Sequence, residues 1–192
     1  MLKAVEENPG AFYQHYPRPA AIVTVNYSGR KNAMAVAWHC SVSFTPPYYG
    51  IAVAPKRYTY SMISGSKQFC INFLPYDRSE IIAAVGGSSG VYTDKYTEFN
   101  MEEDSPLKLD VPILRDAYAA YECRVIDNHL FGDHAWIVGE IVAAHVADSV
   151  FKDNGILDLN LIQPALYLGG ETYCTADKNT VKFLDRDKYG KK

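Results

Sequence analysis

The sequence predicts a mainly β protein, an antiparallel barrel closed or nearly closed, with a few short helices. Strand-like runs number six or seven against two or three short helical ones. The two kinds do not alternate as β-α-β units, and no G-x-G-x-x-G follows a strand, so a doubly wound nucleotide-binding sheet is not supported. Closure also removes the exposed edges that so many strands would otherwise leave.

Each element follows from its residues. Residues 20–26 (AAIVTVN) are rich in β-branched side chains and end at the turn YSGRK, which sets up a hairpin with the next run. That run, 32–44 (NAMAVAWHCSVSF), reads as one long strand stopped by Thr45-Pro46-Pro47, since proline cannot continue a ladder. A third strand is expected over 49–54 (YGIAVA), then a short helix from Thr59 as N-cap through Ile63. Residues 68–74 (QFCINFL) form a fourth strand. A helix over 77–85 has Asp77 as N-cap and Glu80 at capping-box spacing. The stretch 86–112, with GGSSG, DKY, EED and two prolines, is the least regular and reads as an excursion or a partner-contacting arm. Two long strands follow near 117–129 and 134–147, joined by a Gly-Asp-His turn. A last strand covers 166–175 (LYLGGETYCT) before the polar tail DRDKYGKK.

Composition narrows the function classes. The 192 residues suit one domain, at 48% hydrophobic and 21% charged. A net charge of -3 gives no general attraction to nucleic acid or anionic membrane. No apolar run approaches the roughly 20 residues of a membrane span. MLKAVEENPG lacks the apolar region of a signal peptide, so a cytoplasmic location is expected. Cys40, Cys70, Cys123 and Cys174 show no C-x-x-C and no Cys/His ligand spacing, so no metal site is expected. Cys70 and Cys123 lie inside apolar runs and read as small buried hydrophobes.

Two stretches carry candidate chemistry. In APKRYTYSMI (54–63) a strand ends, two cations follow and a helix begins. Helix amides, a threonine hydroxyl and Lys56 or Arg57 together suit a phosphate, although solvated turn charges with a capping threonine would look the same. In WHCSVSFTPP (38–47), His39, Cys40, Ser41 and Ser43 crowd into one strand. Such a strand suits a flat heteroaromatic ligand with donor and acceptor edges, or an edge strand with its polar face in water.

Those residues, taken in order, resemble a known family. YPRP (16–19), NAMAVAWHCSVSFTPP (32–47), APKRYTYSMI (54–63), QFCINF (68–73), DKY (94–96), YECRV (121–125), GDHAWIVGEIVAAHV (132–146) and LYLGG (166–170) are similar to the flavin reductase-like, FMN-binding split-barrel family, flavoredoxin branch. The likeness covers about residues 12–175, within one domain spanning 1–192. It implies an antiparallel split β-barrel holding FMN, with FAD as the alternative flavin. The phosphate would lie at Lys56, Arg57, Tyr58 and Thr59, and the isoalloxazine along Trp38, His39, Cys40 and Ser41. Asn32 and Asn72 would be side-chain partners, and Lys95 would reach a phosphate within the subunit or across a boundary. Family members often have Thr or Ser where this chain has His39 or Cys40, so a hydroxyl contact there would pass to backbone or imidazole.

The implied activity is NAD(P)H-dependent flavin reduction, with hydride passing to flavin N5 and no acid–base pair required. The alternative is a flavoredoxin-type electron carrier with tightly bound FMN, reduced by a redox protein partner. A third reading is a barrel that has lost its flavin. A homodimer with the flavin near the interface is implied too, and the 15 tyrosines are compatible with one. In the Gly-Asp-His turn the resemblance places His134 near the nicotinamide position, with Asp133 orienting the turn or the imidazole. A general base is not needed for hydride transfer, so His134 is expected to contact substrate rather than to form a catalytic dyad.

Overall fold

β-branched and aromatic runs interrupted by proline and glycine turns become strands, twelve of them among the described residues. They are β1 (Arg18–Pro19), β2 (Ala21–Tyr27), β3 (Arg30–Val36), β4 (His39–Phe44), β5 (Pro47–Val53) and β6 (Gln68–Phe73). After these come β7 (Glu103–Asp104), β8 (Ile113–Leu114), β9 (Ala119–Phe131), β10 (His134–Val146), β11 (Leu166–Gly169) and β12 (Thr172–Cys174). The helices are α1 (Tyr58–Ser66), α2 (Ser79–Gly87), α3 (Lys95–Glu98) and α4 (Arg186–Tyr189). This is a computed structural model that describes residues 2–10 and 12–190.

The main sheet has seven antiparallel strands in the spatial order β3-β2-β6-β9-β10-β5-β4. It curls into a split barrel whose two edge strands, β3 and β4, are consecutive in the chain but not paired with each other. The expected single strand over 32–44 is therefore two strands on opposite edges. Its residues 37–38 cross the gap, and the Trp38 carbonyl already accepts the Ala52 amide on the far side at 2.8 Å. Pairing geometry overrides strand propensity here: one strand cannot serve both edges of an open barrel without a break.

β2 reads as an unbroken apolar run because both its faces are covered. Ala21, Val23 and Val25 point into the barrel with Ile51, Ile63, Phe69, Ile71 and Ile137. Ile22 points outward beneath α2, against Ile82 and Val85. Side chains of this kind, here at 1% exposure or less, contribute about 1.5–3 kcal/mol each when fully buried. The β9–β10 hairpin closes through Gly132, whose φ of 59° needs no side chain to avoid. His134, the first residue of β10, pairs with Phe131.

Other expectations need correction. The run 166–175 is a hairpin, β11 and β12, turned at Gly169 and Gly170 and joined to β1. Asp77 does not cap a helix: Tyr76–Arg78 form a 3-10 turn, and α2 then starts without a side-chain cap. α1 starts two residues early, with Arg57 at its N-cap, so Thr59 is inside the first turn instead of capping it.

Residues 86–112 are an excursion, but one bound to its own barrel. Asp94 caps α3, and β7 pairs with β8. Glu122, buried in β9, accepts the amides of Leu107, Lys108 and Leu109 at 2.6, 2.8 and 2.6 Å, and His145 Nε2 lies 2.7 Å from it. Burial alone would raise this carboxyl, but those hydrogen bonds outweigh it and hold the group below the usual range. Among the described residues no helix is long and apolar enough to cross a membrane.

Candidate functional site

A trough runs along β3 beside the split, polar at one end and aromatic at the other. The polar lobe, about 520 Å³, lies between β3, the β5–α1 turn and the segment that follows α2. Pro55 breaks the ladder after Val53, so the chain turns and presents Lys56 and Arg57 just before the uncapped start of α1. First-turn amides without a cap, at the positive end of a helix dipole, are donors waiting for an anion.

Thr59 is buried, and its Oγ1 accepts from Asn32 Nδ2 at 2.9 Å. That leaves its hydroxyl hydrogen available as a donor. Asn32 thus positions Thr59 from the neighbouring strand. Ser61, Ser88 and Ser89 add further hydroxyls to the lining.

Lys95 completes the lobe from α3. It is buried, and Nζ donates to the carbonyls of Ala33 at 2.8 Å and Val85 at 2.7 Å. Burial, helped by the charge of Arg57, brings its pKa down to about 8. Among the described residues no carboxylate lies within ion-pair distance of Lys56, Arg57 or Lys95. Three cations without counter-ions around one concave lobe fit a phosphate group.

The aromatic lobe, about 290 Å³, shares Met34, Ala35 and Arg57 with the polar one. Its floor is the backbone of β3 and the crossover, and its walls include Tyr13, Tyr16, Trp38, His134 and Tyr167. Trp38 Nε1 donates to the Tyr16 hydroxyl at 2.7 Å, which fixes the indole plane. The His134 ring centre lies 4.8 Å from that of Trp38, and its Nδ1 is 2.7 Å from Asp133 Oδ1. A third cavity of about 600 Å³ adjoins both lobes, between the edge of β3, α2 and the β11–β12 hairpin. A continuous trough with a cationic end and a flat aromatic end suits a planar ring carrying a phosphate.

The structure brings together Asn32, Lys56, Arg57, Tyr58, Thr59 and Lys95 in the polar lobe, and Trp38 and His134 in the aromatic lobe. Asp133 lies behind His134 at the hairpin turn. Four expected cofactor residues do not line the trough. His39 is buried inside the barrel, with Nδ1 2.7 Å from the Tyr49 hydroxyl and Nε2 2.9 Å from the Pro19 carbonyl. Burial pulls its pKa down to about 4, so the ring is neutral at physiological pH. Strand alternation explains this: Trp38 faces the trough, so its neighbour faces the core.

Cys40 and Ser41 are exposed on β4 beyond the crossover. Asn72 is buried under the 103–114 arm, where it accepts from the Leu114 amide at 2.9 Å and donates to Ile22 O and Thr24 Oγ1. Sequence reasoning missed Tyr13, Tyr16, Met34, Ser88, Ser89 and Tyr167. The run FYQHY and the hydroxyls and glycines of GGSSG were the available signals, yet neither says which face of the fold it will meet.

Known proteins share this fold. The family described as flavin reductase like domain matches residues 13–176. An uncharacterised protein of Aeropyrum pernix is 32% identical over 157 residues, which are 80% of this chain and 58% of that protein. This chain therefore spans little more than half of that relative's length. The FMN-binding protein of Thermus thermophilus, solved with 1-cyclohex-2-enone bound, superposes with a TM-score of 0.85 at 29% identity, covering 95% of this chain and 99% of that one. Flavoredoxin from Methanosarcina acetivorans superposes with a TM-score of 0.84 at 26% identity, covering 98% and 99%.

Proposed function

The chain belongs to the flavin reductase-like domain family, and from that premise we propose that it is an FMN-binding flavoprotein acting as an NAD(P)H-dependent flavin oxidoreductase, one domain over 1–192. The observation that carries this reading is the polar lobe, where three cations lacking carboxylate partners surround an uncapped helix start. FMN bound there would supply the redox chemistry, accepting a hydride at N5 from a nicotinamide.

The chain's own residues bind, orient and exclude water. Tyr58 and Thr59 offer backbone amides and a hydroxyl to the phosphate; Lys56, Arg57 and Lys95 supply charge. Met34 and the small residues after it let the ring approach the backbone closely, and Trp38 and the tyrosines wall off solvent. His134, held by Asp133, shapes the place where a nicotinamide would stack. No proton transfer is asked of it.

A second reading is supported by the likeness to a flavoredoxin: FMN stays bound and a redox protein partner supplies the electrons. In either case a homodimer is proposed, and the free edge β4 leaves Val42 and Phe44 exposed for such a contact. The test is the purified protein itself. It should carry or take up FMN and lose its yellow colour anaerobically with NADH or NADPH. Retained FMN that only a redox protein bleaches would favour the carrier. Colourless protein that refuses FMN would sink both readings.

A further inference from the structure

We propose that Arg30 sets the length of ligand that the polar lobe accepts, closing it behind a terminal phosphate so that a flavin mononucleotide fits and the dinucleotide is excluded. This rests on the flavin reading given above. Arg30 follows the β2–β3 turn, outside the lobe. Its Nη2 donates to the Gly90 carbonyl at 2.7 Å and reaches that of Val91 at 3.3 Å. Its Cζ lies 4.9 Å from the centre of the Tyr58 ring. Tyr58 opens α1 and lines the polar lobe, as do Gly90 and Val91.

Behind Gly90 and Val91 is a separate cavity of about 430 Å³ that Arg30 lines. Among the described residues those two alone are common to both linings. The partition is thus a strip of backbone two residues wide, and one guanidinium fastens it to the first residue of α1. The strip is also braced from the lobe side: a Cβ on Gly90 would come within 2.0 Å of Asn32 Oδ1, so only glycine lets the backbone lie that close.

The position of the partition decides its consequence. The aromatic lobe, with Trp38 and His134, is at the opposite end of the trough, so a ligand running from ring to phosphate points at the strip. A monophosphate ends there. In a dinucleotide the same phosphate is joined by an anhydride bond to a second phosphate and a nucleoside, and that chain continues from the end of the lobe where the strip stands. The cavity beyond is not built for a second phosphate, since Asp94 and Glu103 line it and Lys31 is already paired with Glu103 at 2.7 Å. Arginine suits the fastening because Nη2 reaches both carbonyls while the flat face of the same guanidinium packs on the Tyr58 ring; a lysine ammonium has no planar face to lay there.

The experiment compares FMN and FAD affinities, by quenching of flavin fluorescence at fixed salt, for the parent protein, Arg30→Ala and Arg30→Lys. The parent should prefer FMN. Both variants should narrow the FMN-to-FAD ratio by about tenfold or more, mostly through tighter FAD binding, as expected when charge-assisted contacts holding a barrier are lost. Should Arg30→Ala fail to fold by thermal melt, Arg30→Lys supplies the ratio. A folded variant whose ratio matches the parent overturns the role of Arg30, and so does a lysine variant that restores parent selectivity, because charge alone would then suffice. A parent that binds neither flavin overturns the reading of the site itself, a result distinct from the other two.

Discussion

Glu122 and Asp133 each hold a histidine nitrogen at 2.7 Å, His145 in one case and His134 in the other. The histidines are similarly half-buried, with 28% and 30% of their side chains exposed. The carboxylates are not: Glu122 is fully buried and Asp133 is 91% exposed. Glu122 also collects three amides from the 107–109 loop, whereas among the described residues the Asp133 carboxylate meets only the ring of His134. The same pair of groups at the same distance is therefore a clamp on one side of the barrel and a surface turn beside the trough on the other. The surroundings of the carboxylate, more than the pair, decide its role.

Removing the buried member should have the largest effect. Glu122→Gln leaves three loop amides competing for one neutral oxygen and should cost roughly 2–4 kcal/mol of folding stability, read from urea unfolding. The clamp also fixes the sign of an acid effect. Its pKa is lowered in the fold from 4.5, so its contribution is complete above that value and disappears as pH falls through the lower, folded one. The parent should lose stability with acid more steeply than the variant. Equal slopes for the two proteins would show that the clamp is not charged.

On the trough side the large effects should appear in ligand affinity. Arg57→Ala should weaken FMN binding by roughly ten- to a hundredfold, the value of a charge-assisted contact, while leaving the melting temperature close to that of the parent. Thr59→Ala is a poorer probe than its place near a turn suggests. The side chain is buried and satisfies Asn32, so stability and affinity would fall together.

Lys95 gives a smaller, pH-dependent effect. Its pKa is near 8 in the fold, and phosphate favours the charged form, so FMN should bind most tightly below that pH and up to about tenfold more weakly by pH 9. Titration of Lys95→Met should flatten the profile. If the variant keeps the parent's profile, the titrating group is another one.

The contrast between the two pairs also shows how far the sequence could be read. In APKRYT the proline stop, the two cations and the helix start are adjacent in the chain, and the fold keeps them together at one cavity because that arrangement is local. The run around His39 misled, because the break at Ala37–Trp38 depends on which strands occupy the barrel's edges, and that is not local. Once the strand is broken, alternation sends Trp38 to the trough and His39 to the core. Asn72 and Glu122 are similar cases: each is a polar residue in an apolar strand, satisfied by backbone amides of the 103–114 arm more than a dozen residues away in sequence. The Gly90 contact with Asn32 joins residues far apart in the chain, and only the fold brings them together.

The exposed pair provides the last and smallest test. Asp133→Asn removes the charge that fixes His134, but the carboxylate is already solvated, so the thermal midpoint should not move measurably. The carboxylate is held below its usual range chiefly by its bond to His134, and the amide still accepts from the same ring nitrogen. FMN affinity should also be unchanged within about twofold, since Asp133 lines neither lobe and the amide keeps its contact with His134. What should change is the rate of anaerobic bleaching by NAD(P)H, slightly in Asp133→Asn and by roughly tenfold in His134→Ala, the scale of one lost positioning contact. A His134→Ala protein that binds FMN normally and bleaches at the parent rate would reduce this pair to a hairpin turn, and the comparison with Glu122 would then be between a clamp and no function at all.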